Sequence, residues 1–455
     1  MRVVHCIFGI LAPVAIAAAA SFAGLAPAPA QNSGTSFSSS QSVAADRPAS
    51  QLSGAPRDGG AIAAAVTGTA GRSSAPPAGE RRFAPDEVVI ELDGTPAQAD
   101  VDALARRHNL VRIESRARQN TTVYRWRIPD GRDCADVIRE LEADNAVRSA
   151  QPNYVYTTQD QVSDPGPLQY ANVKLHVAQA QQLVRGEGIR IAVIDSGIDV
   201  THPELAGDIA ASFDAIGTDQ KPHAHGTAVA GLIVAHAQLT GVAPAARILA
   251  IRAFVAAGPG SGTTGTTFSV LKGLDWAIAQ HAQVINMSFS GPADPAASRV
   301  LAEAAEQGIV LVAAAGNAGP RSPPLFPADD PNVIAVAATD ADDHLFRLST
   351  PGPNITVAAP GVDLVVAVPN AHYDVMTGTS FAAPLVSGVV ALMLARNPAL
   401  NPKAVRNLLM ATAVDLGSPG RDDQYGAGLT DAFRAVEAAD PKTAGRLPPT
   451  PTAVH

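Results

Sequence analysis

The sequence predicts an α/β protein: a mainly parallel sheet flanked by helices, preceded by a small βαββαβ unit. Three observations carry this. From about Gly188, short unbroken apolar runs (IRIAVI, RILAIRAF, QVINMSF, GIVLVAAAG and VIAVAAT) recur between helical stretches. Strands covered by helices on both faces read this way, whereas half-solvated strands alternate. Between about Phe83 and Asp160 the periods are shorter and alternating. Finally, 455 residues exceed what one hydrophobic core organises, so about two folded units are expected.

Taken in order, the chain opens with Met1-Arg2 and an apolar run from Val3 to about Leu25. Ala28-Pro29-Ala30 then precedes Gln31. This is the layout of a secretory signal with a small-residue cleavage site. The run approaches the roughly 20 residues that span a bilayer, but Pro13 and Gly24 interrupt it, and cleavage is preferred over an uncleaved anchor. From Gln31 to about Gly79, Ser, Gly, Ala and Pro dominate; such a stretch buries too little area to offset its ordering entropy and reads as a flexible spacer. The tail from about Pro441 reads the same way. In the first unit EVVIEL is a strand, AQADVDALARRH a helix, LVRIESRAR and TTVYRWRIP strands, CADVIRELEAD a helix and AVRSAQPNYVY a last strand. That order makes a split-βαβ sandwich, which by itself implies no function.

Composition narrows the classes. Hydrophobic residues at 46% and charged residues at 16% support a large core and exclude wholesale disorder. A net charge of -9 without a Lys/Arg run argues against nucleic acid as a partner. The two cysteines, Cys6 and Cys134, cannot build a disulfide framework; once the signal is removed Cys134 stands alone.

In parallel sheets, chemistry sits at the carboxyl ends of strands. The first apolar run ends in Ile194-Asp195-Ser196-Gly197, with His202-Pro203-Glu204-Leu205 just beyond. His225 opens the small-residue segment HGTAVAG. GIVLVAAAG delivers Asn317, and Gly378-Thr379-Ser380-Phe381-Ala382-Ala383-Pro384 places a serine at the start of an apolar helix, roughly Ser380 to Asn397.

These four motifs in this order resemble the subtilisin-like serine proteases, from about Pro165 to Ala439, including the closing Asp423-Gln424-Tyr425-Gly426-Ala427-Gly428. The preceding unit, ending in Gln151-Pro152-Asn153-Tyr154-Val155-Tyr156, looks like that family's inhibitory propeptide. The resemblance implies a signal peptide over 1–30, a spacer over 31–80, a ferredoxin-like propeptide domain over 81–160, a subtilisin-like catalytic domain over 161–440 and a disordered tail over 441–455. It implies a secreted, extracellular or periplasmic, self-processing endopeptidase that acts on polypeptides, carries its own propeptide as intramolecular inhibitor, and has no nucleic-acid partner and no membrane attachment after signal cleavage. A monomer is expected.

The chemistry asks for the same residue types. A serine hydroxyl needs a base in reach, and imidazole has a suitable pKa; a buried carboxylate then fixes its tautomer. That assigns Ser380 as nucleophile, His225 as base and Asp195 as its partner, with the Asn317 amide and the Ser380 N–H as oxyanion donors. Rival readings fit less well. An aspartic protease needs a second D-S/T-G, zinc at His223, His225 and His236 lacks supporting ligands, and neither a G-x-S-x-G elbow nor a phosphate loop is found. A catalytically dead binding module and an esterase or amidase on the same triad are the remaining alternatives.

By resemblance, an extended peptide adds as a strand between Ser288-Phe289-Ser290-Gly291 and Ala314-Ala315-Gly316. Gly258 to Gly265 is expected to be a flexible loop beside the upstream subsites. The family usually has glycine where this chain has Ser290, so a narrowed specificity rim is expected. The family's calcium loop after the HGTxVAG helix is not matched by GLIVAHAQLTGVAP, and its Asp is replaced by Glu204; no metal site is assigned, no cofactor is required for the chemistry, and structural calcium elsewhere stays open. Arginines between Arg106 and Arg132 face an acidic catalytic unit, so they either attract it or form an ordinary solvated face. Self-cleavage is expected between about Tyr156 and Asp164.

Overall fold

The computed structural model describes residues 73–77, 79–158, 161–162, 169–217, 221–256 and 262–442. The expected signal, most of the expected spacer and the expected tail beyond Lys442 lie outside them.

The N-terminal unit runs β1 (Phe83–Asp93), α1 (Gln98–Arg107), β2 (Val111–Ala117), β3 (Thr121–Arg127), α2 (Cys134–Glu142) and β4 (Ser149–Thr157). Its strands pair antiparallel in the order β2-β3-β1-β4. Strand alternation sends Val88, Ile90 and Leu92 to one face, where they meet Trp126, Leu104 and the Val137, Ile138 and Leu141 stripe of α2. The Asp133 side chain caps α2 by accepting from Ala135 N–H. Cys134 is buried in this core, and burial pushes its thiol up to about 12, so it behaves as a small apolar residue. Ser73 and Ser74, read as spacer, are tied to the Glu142 carboxylate.

The C-terminal unit contributes β5 (Gln161–Val162), α3 (Tyr170–Lys174), α4 (Val177–Gln181), β6 (Arg190–Asp195), β7 (Ile209–Asp214), α5 (Ala224–Val234), β8 (Arg247–Arg252), β9 (Phe254–Ala256), β10 (Thr263–Thr266), α6 (Thr267–Ala279), β11 (Val284–Met287) and α7 (Pro295–Glu306). It continues with β12 (Val310–Ala314), β13 (Val333–Thr339), β14 (Ile355–Pro360), β15 (Leu364–Val368), β16 (His372–Thr377), α8 (Thr379–Arg396), α9 (Pro402–Thr412) and α10 (Ala432–Ala439). Seven parallel strands form one sheet in the order β14-β13-β12-β11-β6-β8-β7. β6 sits where the strand order reverses, so its carboxyl end opens onto a crevice. Ile191 and Val193 of β6 pack toward α5 and α8, and Ala192 and Ile194 toward α6 and α7. Both faces are therefore dry, which is why the runs lack polar alternation. α8 is apolar all round because it lies buried through the middle of one face.

The two units share a sheet. β4 pairs on its free edge with β10, Tyr156 opposite Gly265 and Thr157 opposite Thr264, and β10 pairs with β9. Gly258 to Gly265 was expected to be a flexible loop; its described end, Gly262 onward, instead leads into β10, because partners on both edges, β4 and β9, turn threonine-rich chain into strand. The opposite face of the small sheet, Val89 and Val123, joins the core formed by α6 and α7. Charge pairs ring this contact: Arg116 and Arg118 to Asp275, Arg118 to Glu303, Lys272 to Glu114 and Arg299 to Glu91. Arg116 and Arg118 thus pair with carboxylates of the acidic unit and Arg125 lies over its Phe268 ring, while Arg132 pairs within its own unit, with Asp130 and Glu140.

Gly388 lets α8 and the chain at Val242 approach, since a Cβ there would lie 2.6 Å from Val242 Cβ. Gly388→Ala is therefore expected to destabilise by roughly 1–3 kcal/mol, seen as a lowered Tm with unchanged far-UV circular dichroism.

Candidate active site

Asp195 is the last residue of β6 and fully buried, as is His225 on the first turn of α5. The two meet at 2.7 Å, His225 Nδ1 donating to Asp195 Oδ1. The same carboxylate oxygen accepts from Ser196 N–H at 2.6 Å and Ser196 Oγ at 3.1 Å. Ser196 Oγ in turn accepts from Gly226 N–H at 3.0 Å. Position 226 must be glycine for this, because a Cβ would stand 2.6 Å from the Ser196 carbonyl oxygen. His223 is the N-cap of α5, its ring nitrogen accepting from His225 N–H, and His236 lies 2.9 Å from Asp208. The three histidines considered for zinc thus have separate duties.

Ser380 occupies the first turn of α8, where backbone N–H groups have no helical acceptor. Its hydroxyl donates to the Ser288 carbonyl at 3.1 Å. Ser288 Oγ donates back to the Ser380 carbonyl at 2.7 Å, and Asn286 and Ser387 extend the chain of bonds beneath. Pro384 explains the arrangement. Four residues after Ser380, it lacks the N–H that would engage that carbonyl, so Ser288 supplies the donor. Asn317 follows β12 through Ala315 and Gly316, the latter at φ +102°. Its Oδ1 accepts from Thr379 N–H at 3.0 Å and Thr379 Oγ at 2.8 Å, which fixes the amide plane.

A small cavity beside Ser380 is lined by Thr157, Phe289, Ser290, Ala314, Gly316, Asn317 and Thr379. Of the residues expected to bind substrate, Phe289, Ser290, Ala314 and Gly316 line it. Ser288 lies beneath as a brace, Ala315 N–H is spent on the Val336 carbonyl, and Gly291 lies under the Tyr156 ring. Ser290 exchanges two backbone hydrogen bonds with Thr157, at 3.0 and 3.2 Å. Ser196 and Thr379 were not foreseen in these positions; each is adjacent to a recognised motif, but its partner, Gly226 or Asn317, lies on a distant segment.

Glu204, beyond the end of β6, is fully buried. Its carboxylate accepts from the N–H groups of Ala237, Gln238 and Leu239 at 2.8 to 2.9 Å and from the Tyr373 hydroxyl at 2.7 Å. The loop after α5 is therefore closed around a side-chain anion.

A buried Asp-His pair at the switch point of a parallel sheet, with a serine at a facing helix start, defines a serine hydrolase of the subtilisin architecture. Residues 186–428 match the subtilase family and residues 69–153 match the fervidolysin N-terminal prodomain. The chain belongs to the subtilase family, as a subtilisin-type serine endopeptidase with an N-terminal prodomain. It is 34% identical over 309 residues to Subtilisin E of Bacillus subtilis (strain 168), covering 66% of this chain and 78% of that one. Thermitase of Thermoactinomyces vulgaris is 34% identical over 277 residues, covering 59% of this chain and 96% of its own. The crystal structure of fervidolysin from Fervidobacterium pennivorans, a keratinolytic enzyme related to subtilisin, aligns with TM-score 0.69 at 26% identity, over 81% of this chain and 62% of that one.

Burial raises the Glu204 pKa, but the three N–H donors and Tyr373 outweigh it and hold it below the ordinary 4.5. A depressed carboxylate stabilises the fold above its unfolded pKa and loses that contribution as pH falls through the folded value. Tm should therefore drop on acidification below about pH 4.5. Glu204→Gln should lower Tm at pH 7 and flatten that part of the acid slope.

Proposed function

We propose that the protein is a secreted endopeptidase made as a self-processing proenzyme, with Asp195, His225 and Ser380 as triad. The observation that carries the reading is where β4 ends and β5 begins beside the site. Thr158 N–H donates to the Thr263 carbonyl at 3.0 Å on one side, and Gln161 pairs with Thr377, three residues before Ser380, on the other. The peptide bonds between Thr158 and Gln161 therefore join two segments that flank the serine. Within the expected window of Tyr156 to Asp164, these bonds are the candidates for cleavage.

In the mechanism, His225 takes the Ser380 proton as the oxygen attacks the scissile carbonyl. Asp195, already bonded to Nδ1, stabilises the imidazolium without itself being protonated. The oxyanion is met by the Asn317 amide and the Ser380 N–H at the start of α8, a helix terminus that favours negative charge. His225 then protonates the departing amine, leaving an acyl-enzyme on Ser380 that water hydrolyses with the roles reversed. Ser288 supports this by holding the Ser380 carbonyl. The prodomain acts as inhibitor because β4 occupies the strand position a substrate would take. Export rests on the apolar N-terminal run.

Expressed from Gln31, the wild type is expected to split between Thr158 and Gln161, and Ser380→Ala to stay whole, both read by intact mass. If both stay whole, the self-processing reading fails and a binding module is favoured. Asn317→Ala should lower kcat by about 100- to 1000-fold with little change in KM, a magnitude carried over from the same donor in subtilisin itself.

A further inference from the structure

Asp294 is a buried carboxylate that the triad does not use. It belongs to the C-terminal unit, as the N-cap of α7, and is 1% exposed. Oδ1 accepts from Ala297 N–H at 3.0 Å and from Gln151 Nε2 at 2.7 Å. Oδ2 accepts from Thr267 Oγ at 2.6 Å and from the Tyr156 hydroxyl at 2.5 Å. Two of these four donors, Ala297 and Thr267, belong to the C-terminal unit. The other two, Gln151 and Tyr156, depart with the prodomain.

Tyr156 fills a pocket made for its ring. It is fully buried, packs edge-on to Phe289 with centroids 5.4 Å apart, and lies over Gly291, where a Cβ would come within 2.4 Å of the ring. Burial and the neighbouring Asp294 push its phenol pKa well above the ordinary value, so it acts as a hydrogen-bond donor. The strand that carries it pairs with Gly265 on one side and, one residue on, with Ser290. Any peptide taking this strand position puts one side chain into the same pocket, facing a carboxylate that has lost its phenolic partner. An aromatic ring without a hydroxyl would cover that oxygen and leave it short of a donor, which is the costly case.

Resting on the protease reading above, we propose that Asp294 makes the mature cleft selective for tyrosine, over phenylalanine, at the substrate position that Tyr156 occupies in the proenzyme. A pocket that hydrogen-bonds a substrate hydroxyl discriminates strongly against the analogue lacking it, because its own buried polar group is then left unpaired.

The test uses the mature enzyme and decapeptides with the sequence of residues 153–162, carrying Tyr, Phe or Lys at the position of Tyr156. kcat/KM is expected to favour Tyr over Phe by about 10- to 100-fold, the range of a hydrogen bond to a charged group. Asp294→Asn keeps a helix-capping side chain and is expected to bring the ratio close to one. Equal rates for Tyr and Phe, preference for Lys, or an unchanged ratio in Asp294→Asn would each overturn the proposal while leaving the protease reading intact. If no peptide is cut and a serine-directed phosphonate fails to label Ser380, the protease reading falls and the proposal with it.

Discussion

A β-strand has two hydrogen-bonding edges, and β4 shares both between the folded units: β1 takes one edge, β10 takes the other, and at Thr157 the edge begun by β1 passes to Ser290. Against β1 it completes the small sheet; against β10 and Ser290 it is the strand laid in the cleft. The side chains that face the C-terminal unit reinforce the join. Asn153 Oδ1 accepts from Phe268 N–H at the start of α6, and Gln151 Oε1 from Ala296 N–H at the start of α7. These are helix-end donors that would otherwise turn to water. With Val89 and Val123 in the core of α6 and α7, the N-terminal unit stabilises the folded C-terminal unit by mass action, as any partner does that binds the native state alone. A parallel sheet assembled from distant segments folds slowly, so such a partner has an obvious use.

The site itself depends on close approaches that only small or imino residues permit. Gly226 brings α5 against the end of β6, so that a carboxylate and an imidazole with no exposure can share a hydrogen bond. Pro384 removes a helical donor and thereby hands the Ser380 carbonyl to Ser288. Burying charge is costly unless it is paired; Glu204 and Asp294 have donors on both carboxylate oxygens, and Asp195 gathers three on Oδ1.

Much of this was legible in the sequence because it is local or periodic. The apolar runs announce β6, β8, β11, β12 and β13, and α8 begins within one residue of where its composition places it. The elements of the small unit follow the expected order. What was hidden is non-local. β10 is a strand because β4 and β9 lie on its two edges, so a glycine- and threonine-rich segment reads as loop. Thr379, Ser196 and Asp294 are ordinary residues until the fold brings them to Asn317, Gly226 and Tyr156. The hairpin of β15 and β16 is likewise fixed by its mutual pairing more than by any pattern of its own.

The central claim is that β4 fills the cleft as a strand in the uncut chain. Amide hydrogen exchange at Ser290, Phe268 and Ala296 tests it most directly, because each donates to a prodomain acceptor. In the Ser380→Ala chain these amides should be protected, and in the separated mature enzyme they should exchange faster, while the Ala315 amide, bonded within the C-terminal unit, stays protected in both. Equal exchange at all three in the two forms would contradict the account.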